Sequence, residues 1–165
     1  MRILIELPSW LGDAVMATPS IENLIQYHSH SEVIIVGSEV SIEVFKNHPK
    51  VSKTYISEKN YLSVFLLLSE FDKFDKFFTF RNTFRSNVFK LFIKSKQKFI
   101  YKKNNFKAFH QVEKYTKFIN NSLKIDLTIG PLVIHSRELL EKKLSSKDHN
   151  KPILGINPGS SYGSA

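Results

Sequence analysis

The sequence predicts an α/β fold, a Rossmann-like parallel sheet with helices on both faces, and three observations predict it. Apolar runs alternate with segments of helical period from Met1 to Tyr101, the order that parallel strands joined by crossover helices require. The first apolar run, Arg2 to Leu7, enters a helical segment ending near Tyr27 through the tight loop Pro8-Ser9-Trp10-Leu11-Gly12-Asp13. A buried strand feeding a helix through so short a loop is the opening unit of nucleotide-binding domains. The second run, Glu32 to Val36, is apolar without alternation, as expected of a strand covered on both faces.

Within the first helical segment Pro19 needs its own account, because an interior proline forfeits a hydrogen bond and crowds the preceding turn. Thr18 as N-cap with Pro19 at the first helical position removes that conflict, so one turn from Asp13, a kink and a main helix from Pro19 are expected. Gly37 ends the second strand, and Ser41 to Lys46 reads as a short helix closed by Asn47-His48-Pro49. Val51 to Ile56 is a third strand, Tyr61 to Phe71 a third helix, and Phe74 to Phe80 a fourth strand. The corner Arg81-Asn82-Thr83-Phe84-Arg85-Ser86 opens a helix to about Ile93. Its Phe84, Val88, Leu91 and Phe92 recur at helical spacing and are assigned to the core. Lys98 to Tyr101 is a fifth strand, and Phe109 to Leu123 a helix that begins at His110-Gln111-Val112-Glu113-Lys114-Tyr115.

Beyond Gly130-Pro131 a polar helix is expected near Arg137 to Leu144, then a charged linker from Ser145 to Asn150. Pro152 to Ile156 reads as a new buried strand running into the glycine- and serine-rich loop Asn157 to Ala165. A lone strand and loop cannot fold by themselves. The expected organisation is therefore a Rossmann-like domain over residues 1–150 and, in 151–165, the first strand and phosphate loop of a second, truncated domain.

Composition narrows the function. The 165 residues hold 42% hydrophobic and 24% charged side chains and no cysteine, a globular composition that excludes disulfides and thiolate metal sites. The longest apolar runs, such as Val64 to Leu68, fall far short of the roughly 20 residues of a membrane span. Met1-Arg2 leads straight into a strand too short for a signal peptide's apolar region, so a cytoplasmic location is expected. The charge is uneven: between Lys73 and Lys107 stand eleven bases and the single acid Asp75, a net +10 in a chain of net +9. Such a region is either a solvated lysine-rich surface or a face for an anionic partner, whether nucleic acid, acidic lipid or a phosphorylated substrate.

Asp13 is the best candidate for chemistry. It falls at the carboxyl end of the first strand and the amino end of the first helix, the rim on which open α/β sheets place ligands. From spacing alone a helix N-cap is the favoured reading of Asp13. One glycine, Gly12, does not make the three-glycine dinucleotide fingerprint, so a dinucleotide site is disfavoured.

The segment Pro8-Ser9-Trp10-Leu11-Gly12-Asp13-Ala14-Val15-Met16 resembles the opening of the ADP-heptose:lipopolysaccharide heptosyltransferases, most of all heptosyltransferase II with its Pro-Ser-Trp-x-Gly-Asp pattern. Asn82-Thr83-Phe84-Arg85-Ser86 resembles the family's Asn-Ser-Phe-Arg-Ser. His110 to Tyr115 is similar to its His-x-Val-Asp/Glu-Arg/Lys-Tyr, and Asn157 to Ala165 to the loop that starts its donor-binding domain. The four motifs stand in the family's order, and the resemblance covers the whole chain but about half of such an enzyme.

What the resemblance implies is the amino-terminal domain of a GT-B glycosyltransferase, which inverts configuration and uses no metal or cofactor beyond the sugar nucleotide ADP-heptose. Asp13 matches the family's general base, which deprotonates the acceptor hydroxyl. The amino end of a helix favours its negative charge, and a mild base suffices when the hydroxyl becomes acidic late in the transition state. Ser9, Trp10 and Gly12 would shape the acceptor pocket. The acceptor, inner-core lipopolysaccharide, carries phosphates and carboxylates that Arg81, Arg85, His110 and Lys114 would contact. Ser160, Ser161 and Gly163 would hold donor phosphate. The sequence lacks the Lys-Arg-Trp stretch that continues the family's donor loop, so an inactive chain, peripheral at the inner membrane, is expected.

Two other classes compete. A non-enzymatic basic α/β domain that binds nucleic acid or an anionic surface would use the same lysines and have no need of Asp13. A regulatory flavodoxin-like module leaves the strand and loop after Asn150 unexplained. On the heptosyltransferase reading no nucleic acid is expected.

Overall fold

The computed structural model describes residues 1–57, 61–102 and 108–135, with the side chains of 61–64 and of Arg85 outside that description. The described residues lie in one compact unit, Met1–His135. Its elements are β1 (Arg2–Glu6), α1 (Leu11–Tyr27), β2 (Glu32–Gly37), α2 (Glu39–Ile42), β3 (Val51–Ile56), α3 (Tyr61–Glu70), β4 (Phe74–Thr79), α4 (Phe84–Phe92), β5 (Ser95–Ile100) and α5 (Gln111–Leu123).

The five strands form one sheet in the order β3-β2-β1-β4-β5, all pairings parallel. The chain winds outward from β1 to β3, then crosses back to β4 on the other side of β1. The strand order therefore reverses between β1 and β4, and the crevice outside their carboxyl ends is where such a sheet takes ligands. β1 lies at the centre, with Leu4 beside Ile34 on one side and Phe77 on the other. Both faces of the sheet are covered. Ile3, Ile5, Leu7, Val33, Ile35 and Phe78 pack with Ala14, Ala17, Ile21 and Leu24 of α1 and Tyr115, Phe118 and Ile119 of α5. Leu4, Ile34, Val36, Phe74 and Phe77 pack on the opposite face with Leu67 of α3 and Phe89 of α4. That two-sided burial explains the uninterrupted apolar runs of the inner strands.

Four elements differ from the sequence expectation. The first helix is continuous from Leu11 to Tyr27 with Pro19 inside it, and Thr18 is not its cap. Proline deprives the Val15 carbonyl of its i+4 donor, and the Thr18 hydroxyl donates to that carbonyl instead, at 2.8 Å. The same hydroxyl accepts from the Val133 amide at 3.2 Å, so the buried break in the ladder is satisfied locally. The second helix is Glu39–Ile42, because Ser38 caps it by accepting from the Ser41 amide; residues after Ile42 form i→i+3 turns such as Phe45 to Ile42 and His48 to Phe45.

The fifth strand starts at Ser95, three residues early. It pairs with β4 at the edge of the sheet, where polar Lys96 and Gln97 are tolerated because they are exposed. The fourth difference is α4. Its buried side chains are Ser86, Phe89 and Ile93, whereas Phe84, Leu91 and Phe92 are exposed at 75%, 74% and 55%. Val88 is half-buried. The apolar stripe assigned to the core thus faces away from the sheet. The expected helix at 137–144, linker at 145–150, strand at 152–156 and terminal loop, with the domain boundary near 150, lie outside the described residues.

Candidate functional site

The carboxyl ends of β1 and β4 are tied by a buried polar cluster. Glu6, the last residue of β1, is 2% exposed, and Arg81, just past β4, is 4% exposed. One Glu6 carboxylate oxygen accepts from the Thr79 hydroxyl at 2.6 Å. The other accepts from the Ser86 hydroxyl at 3.2 Å and lies 3.7 Å from Arg81 Nη1. Arg81 Nε donates to the Leu7 carbonyl at 2.6 Å. A carboxylate and a guanidinium this deeply buried persist only when paired and hydrogen-bonded. The cluster pins the start of the Pro8–Asp13 loop to the Arg81–Ser86 corner, so two motifs 70 residues apart in sequence share one anchor.

That loop turns directly into α1. Its N-cap residue is Trp10, with no side-chain cap, and the first intrahelical bond runs from the Ala14 amide to the Trp10 carbonyl. Asp13 therefore sits in the first turn of the helix and is not the N-cap that spacing also allowed. Its carboxylate is half-buried and makes no hydrogen bond among the described residues. The Ser9 carbonyl accepts from the Ser38 hydroxyl at 2.7 Å, and the Ser9 side chain is exposed. Trp10 is 71% exposed. A Cβ added to Gly12 would meet nothing within 4 Å, so the fold itself does not demand glycine there. What Gly12 leaves is open space in front of the loop.

The charge of Asp13 is felt by two phenols. Burial raises the Tyr115 hydroxyl far above its ordinary range, and the Asp13 carboxylate adds to that rise. Tyr101 is raised for the same two reasons, burial first, against a hydrogen bond from Gln111 that lowers it. Gln111 Nε2 donates to the Tyr101 hydroxyl at 3.4 Å, and the two tyrosine rings meet edge to face with centroids 5.0 Å apart. Tyr101 follows β5 and Tyr115 lies on α5, so the third motif converges on the same rim.

The structure separates the other sequence candidates. Arg81 is buried, with its Nε on the Leu7 carbonyl and its Nη1 3.7 Å from Glu6. Arg85 lies in the first turn of α4, and its side chain is outside the described residues. His110 is exposed and caps α5, its Nδ1 accepting from the Val112 amide at 3.5 Å. Lys114 is half-buried one turn further on. Among the described residues neither bonds to Asp13. Ser160, Ser161 and Gly163 lie outside the described residues.

Sequence reading missed Glu6, Thr79, Tyr101 and Gln111. Glu6 carried a usable signal, as the one acid closing an otherwise apolar strand. Among the described residues one group has metal-ligand chemistry, Glu22, His48 and His135, with ligand atoms within 4.8 Å of one another. His48 Nδ1 accepts from the Lys50 amide at 3.1 Å, so Nε2 carries the proton toward Glu22 Oε1 at 2.7 Å. A metal on Nε2 would require a proton on Nδ1 facing that amide. The cluster is a hydrogen-bonded strap, joined by His135 at 3.3 Å from the same oxygen.

No family model matches the sequence. A lipooligosaccharide heptosyltransferase 2 of Campylobacter jejuni is 40% identical over 167 residues, covering all of this chain and 52% of that protein. A second C. jejuni relative of the same name is 39% identical over the same span. The chain thus spans about half the length of the curated relatives it matches. Among solved structures, a family 9 glycosyl transferase from Veillonella parvula superposes with a TM-score of 0.78 at 17% identity, over 98% of this chain and 55% of that one. The E. coli ADP-heptose lps heptosyltransferase II superposes with a TM-score of 0.70 at 16% identity, over 99% of this chain and 56% of that one.

Sheet order, two-sided cover and these superpositions define the fold: a Rossmann-like domain that superposes on about half of each of these solved glycosyltransferases. More particularly, the chain is similar along its whole length to the amino-terminal half of the two lipooligosaccharide heptosyltransferase 2 proteins of C. jejuni.

Proposed function

We propose that this chain is the acceptor-binding half of an inverting heptosyltransferase, which moves heptose from ADP-heptose to inner-core lipopolysaccharide at the cytoplasmic face of the inner membrane. The observation that carries the reading is Asp13: a half-exposed carboxylate, uncommitted to capping, at the point where the strand order reverses and three motifs meet. On this reading the acceptor hydroxyl loses its proton to an Asp13 oxygen as it bonds to the anomeric carbon, and ADP leaves from the opposite face. Neither metal nor resident cofactor takes part. Trp10 and the space at Gly12 bound the acceptor sugar, and Lys114, His110 and Arg85 contact its anions. The donor phosphates belong to Ser160, Ser161, Gly163 and the relatives' second half.

The test joins this chain to the remaining half of the C. jejuni relative and assays heptose transfer. Asp13→Asn keeps the side chain's size but cannot accept the proton, so transfer should fall about 10² to 10⁴-fold while the melting temperature holds. Transfer at the parental rate by Asp13→Asn would remove Asp13 from the mechanism. If the hybrid instead shifts DNA or RNA in a salt-dependent manner and transfers nothing, the basic nucleic-acid-binding alternative replaces this reading.

A further inference from the structure

We propose that the outer face of α4, with the adjoining face of α3, is a docking surface for an anionic lipid bilayer. At about 100° per residue, Leu91, Phe84, Val88 and Phe92 span an arc of about 100° on α4, opposite the Phe89 and Ile93 that reach the sheet. The stripe is too apolar to be an ordinary solvated face: Phe84, Leu91 and Phe92 are each more than half exposed. On α3, which packs beside α4 on the same side of the sheet, Phe65 and Leu66 are exposed at 59% and 55%. Large apolar side chains left exposed along one face of a helix, with more on its neighbour, mark an interaction site.

Charge identifies the partner. Lys94 follows the helix on the Leu91 side of the stripe, Lys90 lies about 100° further round from Leu91, and no acidic residue occurs between Asp75 and Glu113. Asp75 is itself taken up by Lys96 at 2.6 Å and by the Arg2 amide at 2.8 Å. A second copy of this chain would set lysine against lysine across the contact. A nucleic-acid backbone would satisfy the lysines and leave Leu91 without a role. An anionic bilayer meets both needs, since apolar side chains enter the acyl boundary while lysines snorkel to the headgroups. Leu91 and Phe92 lie at the far end of α4 from the Arg81–Ser86 corner, so vesicle binding by their variants is read apart from the transfer reaction.

The experiment is cosedimentation of the chain with vesicles of equimolar phosphatidylglycerol and phosphatidylcholine, beside vesicles of phosphatidylcholine alone. The chain should bind the anionic vesicles, release as salt rises above about 0.1 M, and bind the neutral ones weakly. Leu91→Glu/Phe92→Glu and Lys90→Glu/Lys94→Glu should each lower anionic-vesicle binding at least about tenfold. Their circular dichroism should match the parent, because none of these four side chains is fully buried. Parental binding by Leu91→Glu/Phe92→Glu would overturn the proposal, leaving bare electrostatic attraction. So would a parental dimer that this variant dissolves without any vesicle binding, which would assign the stripe to a second copy. Equal binding to neutral vesicles would overturn the role given to the lysines.

Discussion

Replacing Glu6 by glutamine tests whether the buried cluster holds the two motifs together. Both side chains of the Glu6–Arg81 pair are 3% exposed. Glutamine keeps the length and lets one oxygen accept from Thr79 or Ser86, but it removes the charge that compensates the guanidinium. Removing one partner of a buried ion pair costs about 3 to 5 kcal/mol, because the remaining charge stays desolvated. Against a typical domain stability of about 5 to 15 kcal/mol, that is at least about a fifth of the total. With a urea slope of about 2 kcal/mol/M, the midpoint should fall by roughly 2 M at unchanged slope. The double variant Glu6→Gln/Arg81→Met removes both charges and should recover more than half of the loss, the coupling expected of directly paired residues. Urea unfolding followed by circular dichroism reads all three proteins. A loss below about 1 kcal/mol for Glu6→Gln, or no recovery in the double variant, would refute the view that this pair anchors the loop.

Further predictions follow from the tyrosines, from Thr18 and from Gly37. Tyr115 has its folded pKa raised by burial and by Asp13, so its stabilising effect is complete below the ordinary tyrosine value of about 10 and is lost as pH rises beyond it. Alkaline unfolding should therefore begin above about pH 10, with one tyrosinate absent from the ultraviolet titration until unfolding. Asp13→Asn should bring the titration of Tyr115 and Tyr101 to lower pH, and an unchanged curve would separate Asp13 from both phenols. Thr18→Val strips the Val15 carbonyl and the Val133 amide of their partner and should cost about 1 to 3 kcal/mol in denaturant unfolding. Gly37→Ala would bring a Cβ within 2.5 Å of Ser41 Oγ and 3.2 Å of Leu7 Cβ; a loss of about 1 to 3 kcal/mol is expected from overpacking, visible as a lower melting temperature.

The fold was legible where burial is two-sided. Runs such as Ile3–Ile5 and Val33–Val36 admit few readings, and β1, β2, β3 and β4 stand at or within a residue of their expected bounds. Legibility failed where a local rule met a compensation from elsewhere. Proline inside α1 contradicts helix propensity until the Thr18 hydroxyl and Val133, 115 residues away in sequence, supply the missing partners. β5 failed for the opposite reason. An edge strand needs no apolar alternation, so Ser95 to Gln97 gave no period to read.

The candidate site was legible as motifs and illegible as geometry. Nothing in the spacing of Asp13, Arg81 and Tyr115 says that the first lies past the N-cap, that the second is buried and that the third feels the charge of the first. Those relations arise because β1 and β4 are neighbours only after the strand order reverses, and that reversal is a property of topology rather than of any segment. Arg81 shows the consequence: a basic residue beside the Pro8–Asp13 loop reads from sequence as an anion contact, and only the fold shows that it is buried beside the acid closing β1. α4 shows the same limit in apolar form. A helix with Phe89 and Ile93 on one side and Phe84, Leu91 and Phe92 on the other has two candidate core faces, and period alone cannot rank them. The sheet ranks them by supplying Leu4, Phe74 and Phe77 as partners for the narrower face. The broader face keeps its apolar character with no partner from the sheet, and a helix that needed only its core contacts would place polar residues there.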